Sequence, residues 1–211
     1  MDKVRLVYYI AAAGVGGVAY TNDDDLAKQI TSMTFWGRTE YWHEEDAYDR
    51  FRKRYWYETI GYDMQMTEIQ AAFGLAQLKR IEEINRNRDM QFNLTYEFMS
   101  QWEEWLVMPV VHPKADPSWF GFPVVIKDNA PFEIRDFVYR LEAERIETRP
   151  LFVGNILYHP AYKYMEHYVV GDQDVSDSIL RGGLFLPAWG HMTEAQTTHM
   201  FGIIEKFMKE Q

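Results

Sequence analysis

The sequence predicts an α/β protein, and three observations carry that prediction. Beyond Pro109, short strand-like and helical stretches alternate; a long helical pattern runs from Thr67 to about Trp102; and residues 4–10 and 17–20 read as buried strand pieces joined by a small-residue loop. The 211 residues are 47% hydrophobic and 16% aromatic, enough material for a substantial core, and 26% charged residues is ordinary for a globular chain.

The elements follow from local chemistry. Asn22 or Asp23 caps a helix reaching about Trp36, with Asp24 and Asp25 at the positive end of its dipole and Gly37 closing it. Residues 38–58 form an aromatic, charged connection containing Tyr41, Trp42, Tyr48, Phe51, Tyr55, Trp56 and Tyr57. So many rings suit a segment that packs on a partner or over a site, or a lid folded on its own domain. Thr67 with Gln70 three residues on is a capping box opening the long helix. Its first turns are apolar nearly all round, through Ile69, Ala72, Phe73 and Ala76 on one stripe and Ala71, Leu75 and Leu78 on another, which predicts burial on two sides. Further on come a strand over 120–126, a helix from Pro131 to about Glu144, and a short strand over 146–148. An irregular loop over 154–164, a helix over 175–180, a strand over 184–186 and a terminal helix from Thr193 to Lys209 complete the chain.

Composition excludes several functions. There are 22 basic and 32 acidic residues, a net charge of −10, which argues against a broad nucleic-acid surface. The basic cluster Arg50, Arg52, Lys53 and Arg54 sits beside Glu44, Glu45, Asp46 and Asp49 and reads as a solvated charged loop. No cysteine is present, so disulfides, Cys-ligated metals and thiol catalysis are ruled out. The six histidines form no HExxH or other metal pair, and no Gly-x-Ser-x-Gly elbow occurs. No metal site and no catalytic residue is therefore assigned. The apolar stretch 4–20, preceded by Lys3 and Arg5, has the outline of a signal peptide with a cleavage site near Ala13, but Gly14, Gly16, Gly17 and the run into Tyr20 read better as strand. It is too short and glycine-rich for a membrane span.

Two segments attract a functional reading. Gly14-Val15-Gly16-Gly17 sits where a phosphate loop would, yet lacks both the third glycine of a dinucleotide fold and a Gly-Lys-Ser/Thr, so a tight turn is the simpler account. Arg149 at a strand end, followed by Asn155 in a glycine loop, offers fixed donors for an anionic or hydroxyl-rich ligand; a surface ion pair plus a turn Asn explains it equally. His159 before Pro160 is a third candidate, against a plain loop residue.

Together these segments resemble one family. Gly16-Gly17-Val18-Ala19-Tyr20-Thr21-Asn22-Asp23 resembles the strand after the cofactor-bearing loop of the DegT/DnrJ/StrS-type sugar aminotransferases, and Ile60-Gly61-Tyr62-Asp63-Met64-Gln65-Met66-Thr67-Glu68-Ile69-Gln70-Ala71-Ala72-Phe73-Gly74-Leu75-Ala76-Gln77-Leu78 resembles their most recognisable signature. The resemblance implies an aspartate-aminotransferase-like PLP-transferase of fold type I, here incomplete: residues 1–66 a remnant of the large cofactor-binding domain, 67–104 a connecting helix, and 105–211 the small α/β domain. It implies pyridoxal phosphate or pyridoxamine phosphate as cofactor, with Gly16, Gly17 and Asp63 as cofactor contacts, Asp63 standing where the family usually has an Asn that reaches the partner's phosphate. Trp119-Phe120-Gly121-Phe122-Pro123, Thr148-Arg149-Pro150, Gly154-Asn155 and His159-Pro160-Ala161-Tyr162 look like the nucleotide-sugar 3-dehydratase branch, which makes Arg149, Asn155 and His159 substrate contacts. The Pro-Leu-His loop of ordinary transaminases is missing after Arg149-Pro150.

The front of the chain departs from the pattern. Where the family places a Lys, or in the dehydratases a His, stand Tyr8, Tyr9 and Ile10, and Val15 replaces an expected Glu. Tyrosine forms no Schiff base. The expectation is a cytoplasmic fragment of a 4-keto-6-deoxy nucleotide-sugar dehydratase or aminotransferase, inactive as this chain. It would pair as a homodimer or as a heterodimer with a family subunit and bind neither nucleic acid nor membrane. The alternative is a non-catalytic relative acting as a dimerisation module.

Overall fold

The computed structural model describes residues 5–7, 18–38 and 45–211, with residues 5–7 and 18 described by their backbone alone. The chain divides into two compact units, Met1–Ile81 and Glu82–Gln211.

In the first unit, β1 (Arg5–Val7) pairs antiparallel with β2 (Val18–Tyr20). Helix α1 (Asp24–Thr34) is capped as its sequence predicts, Asp23 accepting from the Leu26 N–H at 3.0 Å. Its end is built from two glycines in contact. Gly37, at φ +80°, receives the N–H of Glu58 on its carbonyl, and a Cβ on it would lie 1.9 Å from the Thr59 carbonyl oxygen; one on Gly61 would lie 2.2 Å from the Gly37 nitrogen. Trp36 and Tyr62, and Met64 and Thr34, are hydrogen-bonded across this junction, which sets Asp63 opposite Phe35 and, further along, Arg38 opposite Tyr57. The charged stretch read as a loop contains a helix, α2 (Ala47–Lys53), whose N-cap Asp46 accepts from both Tyr48 and Asp49. The pattern hid it because seven residues are too few to show a 3.6-residue period. Helix α3 (Glu68–Leu78) carries the predicted capping box of Thr67 and Gln70. The long helical run is interrupted at Lys79–Arg80, where the Arg80 N–H bonds back only three residues, to Gln77. None of α3's residues is buried within the chain, and Ile69, Phe73, Leu75 and Leu78 are exposed.

The second unit holds the core. Four strands, β3 (Leu106–Val107), β4 (Phe122–Ile126), β5 (Arg149–Pro150) and β6 (Gly183–Leu186), form an antiparallel sheet in the order β3-β4-β6-β5. β4 opposes β6 with Phe122 facing Leu186 and Val124 facing Leu184. The alternation of burial puts Phe122, Val124, Ile126, Leu184 and Leu186 on one face, where they join residues from α4 (Ile81–Met99), α5 (Ile134–Ala143) and α7 (Glu194–Lys209) in a single cluster. Phe92 stacks on Trp119 at 4.4 Å and Phe98 on Phe201 at 4.0 Å. Helix α6 (Asp174–Gly182) runs into β6 with no residue between, because Gly182 passes against the Ile126 backbone where a Cβ would come within 2.4 Å of its oxygen.

Two boundaries differ from expectation. Pro131 precedes α5 instead of opening it: Glu133 is the N-cap, and buried Phe132 just before it packs on Phe137 at 6.0 Å, a staple that fixes where the helix starts. The strand expected over 146–148 is β5 at Arg149–Pro150. Arg145 adopts φ +62°, Ile146 turns into the core, and Thr148 is held by Glu142, so pairing with β6 begins only at Arg149. The terminal helix α7 has its Thr193/Gln196 capping box as read.

Candidate functional site

The cleft that best suits a ligand lies at the edge of this sheet. Phe120, Gly121, Glu147, Arg149, Phe185, Leu186, Pro187, Ala188 and Trp189 line a space of about 140 Å³. Its aromatic wall is a triad: Phe185 lies 5.3 Å from Phe120 and 5.4 Å from Phe152, while Phe120 and Phe152 stack at 6.0 Å. Phe185 points here because it alternates with Leu184 and Leu186, whose side chains go to the core. Across the cleft, Trp189 is half exposed and meets His191 edge-on at 5.7 Å.

Arg149 supplies the charge. Its Nε and Nη2 donate to one oxygen of Glu147 at 3.0 and 2.8 Å, and both side chains are solvent-exposed. Such a pair contributes about 0–1 kcal/mol, so a carboxylate or phosphate arriving in the cleft can displace Glu147 at little cost. The base of the strand is firmer. Thr148, one residue before, donates its N–H and its hydroxyl to Glu142 at 2.6 and 2.7 Å. These two bonds, the backbone one first, hold the Glu142 carboxyl below its ordinary value of 4.5, against a small opposing desolvation.

The other candidates sit elsewhere. Asn155 is buried; its Nδ2 donates to Asp177 at 2.7 Å and its Oδ1 accepts from the Leu157 N–H at 3.0 Å, so it ties the loop to α6 and caps a 3-10 turn. His159 Nε2 donates to the Val153 carbonyl at 3.0 Å. Neither lines the Arg149 cleft. Asp63 is exposed in the first unit, opposite Phe35. Gly16 and Gly17 lie outside the described residues. Glu147, Phe185 and Trp189 were missed by sequence reasoning. Phe185 carries a usable signal in its alternation with two leucines; Glu147 and Trp189 carry none.

Residues 8–205 match the DegT/DnrJ/EryC1/StrS aminotransferase family. The chain belongs to that family. It is 31% identical over 208 residues to the lipopolysaccharide biosynthesis protein RfbH of Salmonella typhimurium, covering 92% of this chain and 47% of that protein. It is 30% identical to the dTDP-4-dehydro-2,6-dideoxy-D-glucose 3-dehydratase of Saccharopolyspora spinosa, covering 98% and 48%. Among solved structures, the E. coli GDP-4-keto-6-deoxy-D-mannose-3-dehydratase with bound hydrated PLP superposes with a TM-score of 0.70 at 22% identity, over 89% of this chain and 49% of that one. The chain thus spans about half the length of the curated relatives it matches, and its mixed α/β fold is the corresponding part of the sugar-aminotransferase fold. Among the described residues no helix is long and apolar enough to cross a membrane, and no group of three or more His, Asp or Glu is placed to hold a metal.

A pyridoxal phosphate needs donors around its phosphate and an amine for its aldehyde. The described residues do not fit that need: at the position the family resemblance assigns to phosphate, Asp63 presents an exposed carboxylate, which repels the group unless protonated.

Proposed function

We propose that the chain is the C-terminal portion of a pyridoxal- or pyridoxamine-phosphate-dependent enzyme acting on a 4-keto-6-deoxy nucleotide sugar in deoxysugar and polysaccharide biosynthesis, in the cytoplasm. A 3-dehydratase is favoured over an aminotransferase. Its support is the kind of relative it resembles at 30–31% identity, one of them a 3-dehydratase by name. The single structural observation behind the substrate side is the Arg149 cleft: an aromatic wall, and a guanidinium held only by an exposed, exchangeable carboxylate. In this reading Arg149 holds an anionic part of the ligand and the Phe120–Phe152–Phe185 wall excludes water from one side of it.

By itself the chain is inactive in this proposal. Tyr8, Tyr9 and Ile10 stand where the family carries its Lys or His, and the Asp63 carboxylate disfavours phosphate. Titrating the purified chain with pyridoxal phosphate checks this: the absorbance of a bound aldimine should be lost on dialysis. Stoichiometric colour that survives dialysis overturns the inactivity. On the substrate side, Arg149→Ala should weaken binding of a nucleotide sugar by tenfold or more in calorimetry, and unchanged affinity removes the cleft from the proposal.

The second reading, a non-catalytic module, has its own support in the exposed apolar side chains of α3 and the exposed rings of Tyr48, Phe51, Tyr55, Trp56 and Tyr57. Mixing with a full-length family member separates the two: a defined heterodimer with altered activity favours the module.

A further inference from the structure

Helix α5 turns Phe137 and Leu141 fully into the core, but a second stripe on it, Ile134 and Val138, is only half-buried. Those two side chains, with Pro150, Leu180 and Leu184, floor a groove of about 420 Å³ between α5 and α6, where β5 forms the edge of the sheet and both of its residues are exposed. The groove is basic in a chain whose net charge is −10. Its lining holds three arginines and one carboxylate, and that carboxylate, Glu142, already accepts two hydrogen bonds from Thr148. Among the described residues no carboxylate pairs with Arg135, whose guanidinium carbon lies 5.3 Å from the Tyr139 ring centroid. Arg181 reaches Asp128 only at 3.8 Å, with both side chains open to solvent. Glu133 and Asp136 line the neighbouring hollow and not this one.

We propose that this groove docks an acidic amphipathic helix of a partner protein. Covering the floor takes apolar side chains at helical spacing, and Arg135 on α5 and Arg181 on α6 call for carboxylates flanking that stripe. A strand is the other element that adds to a sheet edge, but β5 has no outward N–H to offer one. The Thr148 N–H is held by Glu142, Pro150 has none, and the Leu151 N–H turns inward to Gly183. A helix satisfies its own backbone and asks for no donor from that edge. Arg149 borders the groove too, but its guanidinium is turned to Glu147, so the docking site stands apart from the Arg149 cleft and from the proposed enzyme activity.

The test titrates the full chain, at constant ionic strength, into fluorescein-labelled peptides and reads their anisotropy. One peptide carries leucines at i, i+3, i+4 and i+7 flanked by glutamates, a second has lysine for every glutamate, and a third scrambles the leucine spacing. The glutamate peptide should bind saturably and at least tenfold tighter than either of the others. Arg135→Glu with Arg181→Glu, two exposed changes, should weaken it by tenfold or more and strengthen the lysine peptide, a swap that damage to the fold would not produce. Absence of saturable binding, equal binding of the scrambled peptide, or affinities indifferent to the double charge reversal overturns the proposal; the last result would place the peptide on another apolar face such as α3. Concentration-dependent self-association of the parent chain that the double variant abolishes overturns it too, and makes a second copy the occupant.

Discussion

One oxygen of Glu142, in the last turn of α5, accepts two hydrogen bonds from Thr148, at 2.6 Å from the backbone N–H and 2.7 Å from the hydroxyl. The residue just before β5 is thereby fastened to the helix that precedes it, and Arg149 takes its direction from that fastening. Because these bonds favour the ionised carboxyl, the folded value lies below 4.5 while the unfolded value is near it. The stabilisation is therefore present in full above the unfolded value and is lost as pH falls through the folded one. Glu142→Gln should lower the thermal midpoint at pH 7 by an amount equivalent to about 1 kcal/mol or less, since the site is solvent-screened. The gap between variant and parent should narrow as pH falls below 4.5 and the carboxyl takes up its proton; a gap that stays constant over that fall contradicts the assignment.

The Gly37–Gly61 contact leaves no room for a side chain on either residue. Gly37→Ala adds a left-handed strain of roughly 1–3 kcal/mol to its clash with Thr59, and Gly61→Ala pushes into Gly37 itself. Each variant should become susceptible to limited proteolysis between residues 45 and 66 while the second unit resists. Equal cleavage rates in parent and variants would refute the contact.

Phe122 is fully buried on the face of β4 that the helices cover, its ring centroid 5.2 Å from that of Phe92 in α4. Phe122→Ala should cost about 3–5 kcal/mol by denaturant unfolding, because the rings around it cannot collapse far into the space. A loss under 1 kcal/mol would mean that the core is not packed as described.

Asn155 predicts a different pattern. Asn155→Leu leaves the Asp177 carboxylate and the Leu157 N–H without a partner, at a cost of about 1–3 kcal/mol. If its role is to hold the loop, stability falls and ligand affinity at the Arg149 cleft changes little; calorimetry with a nucleotide sugar, beside thermal unfolding, reads both.

How much of this was legible beforehand depended on what each residue had to meet. Asp23, Thr67 and Thr193 act within three residues of themselves, so their caps were readable. The β6 alternation Leu184–Phe185–Leu186 was readable as strand, but which neighbour Phe185 would touch was not, since Phe120 and Phe152 reach it only through the fold. Pro131 misled because Phe132, not the proline, decides where α5 begins, and that decision is made by Phe137 and Phe207. Arg149 and Asn155 looked like one site from six residues of separation. Tertiary structure parts them, sending the first to an open cleft and the second into a buried tie with α6.

The direct passage of α6 into β6 makes the cleft intolerant of length change. With Gly182 pressed on Ile126 and Gly183 already paired with Val125, no slack exists to absorb an added residue. A single insertion there would shift the strand by one place and invert its two faces, sending Leu184 and Leu186 outward and driving the Phe185 ring into the hydrophobic interior. Evolutionary tinkering with ligand preference at this edge is thus confined to exchanging side chains, never to lengthening the junction.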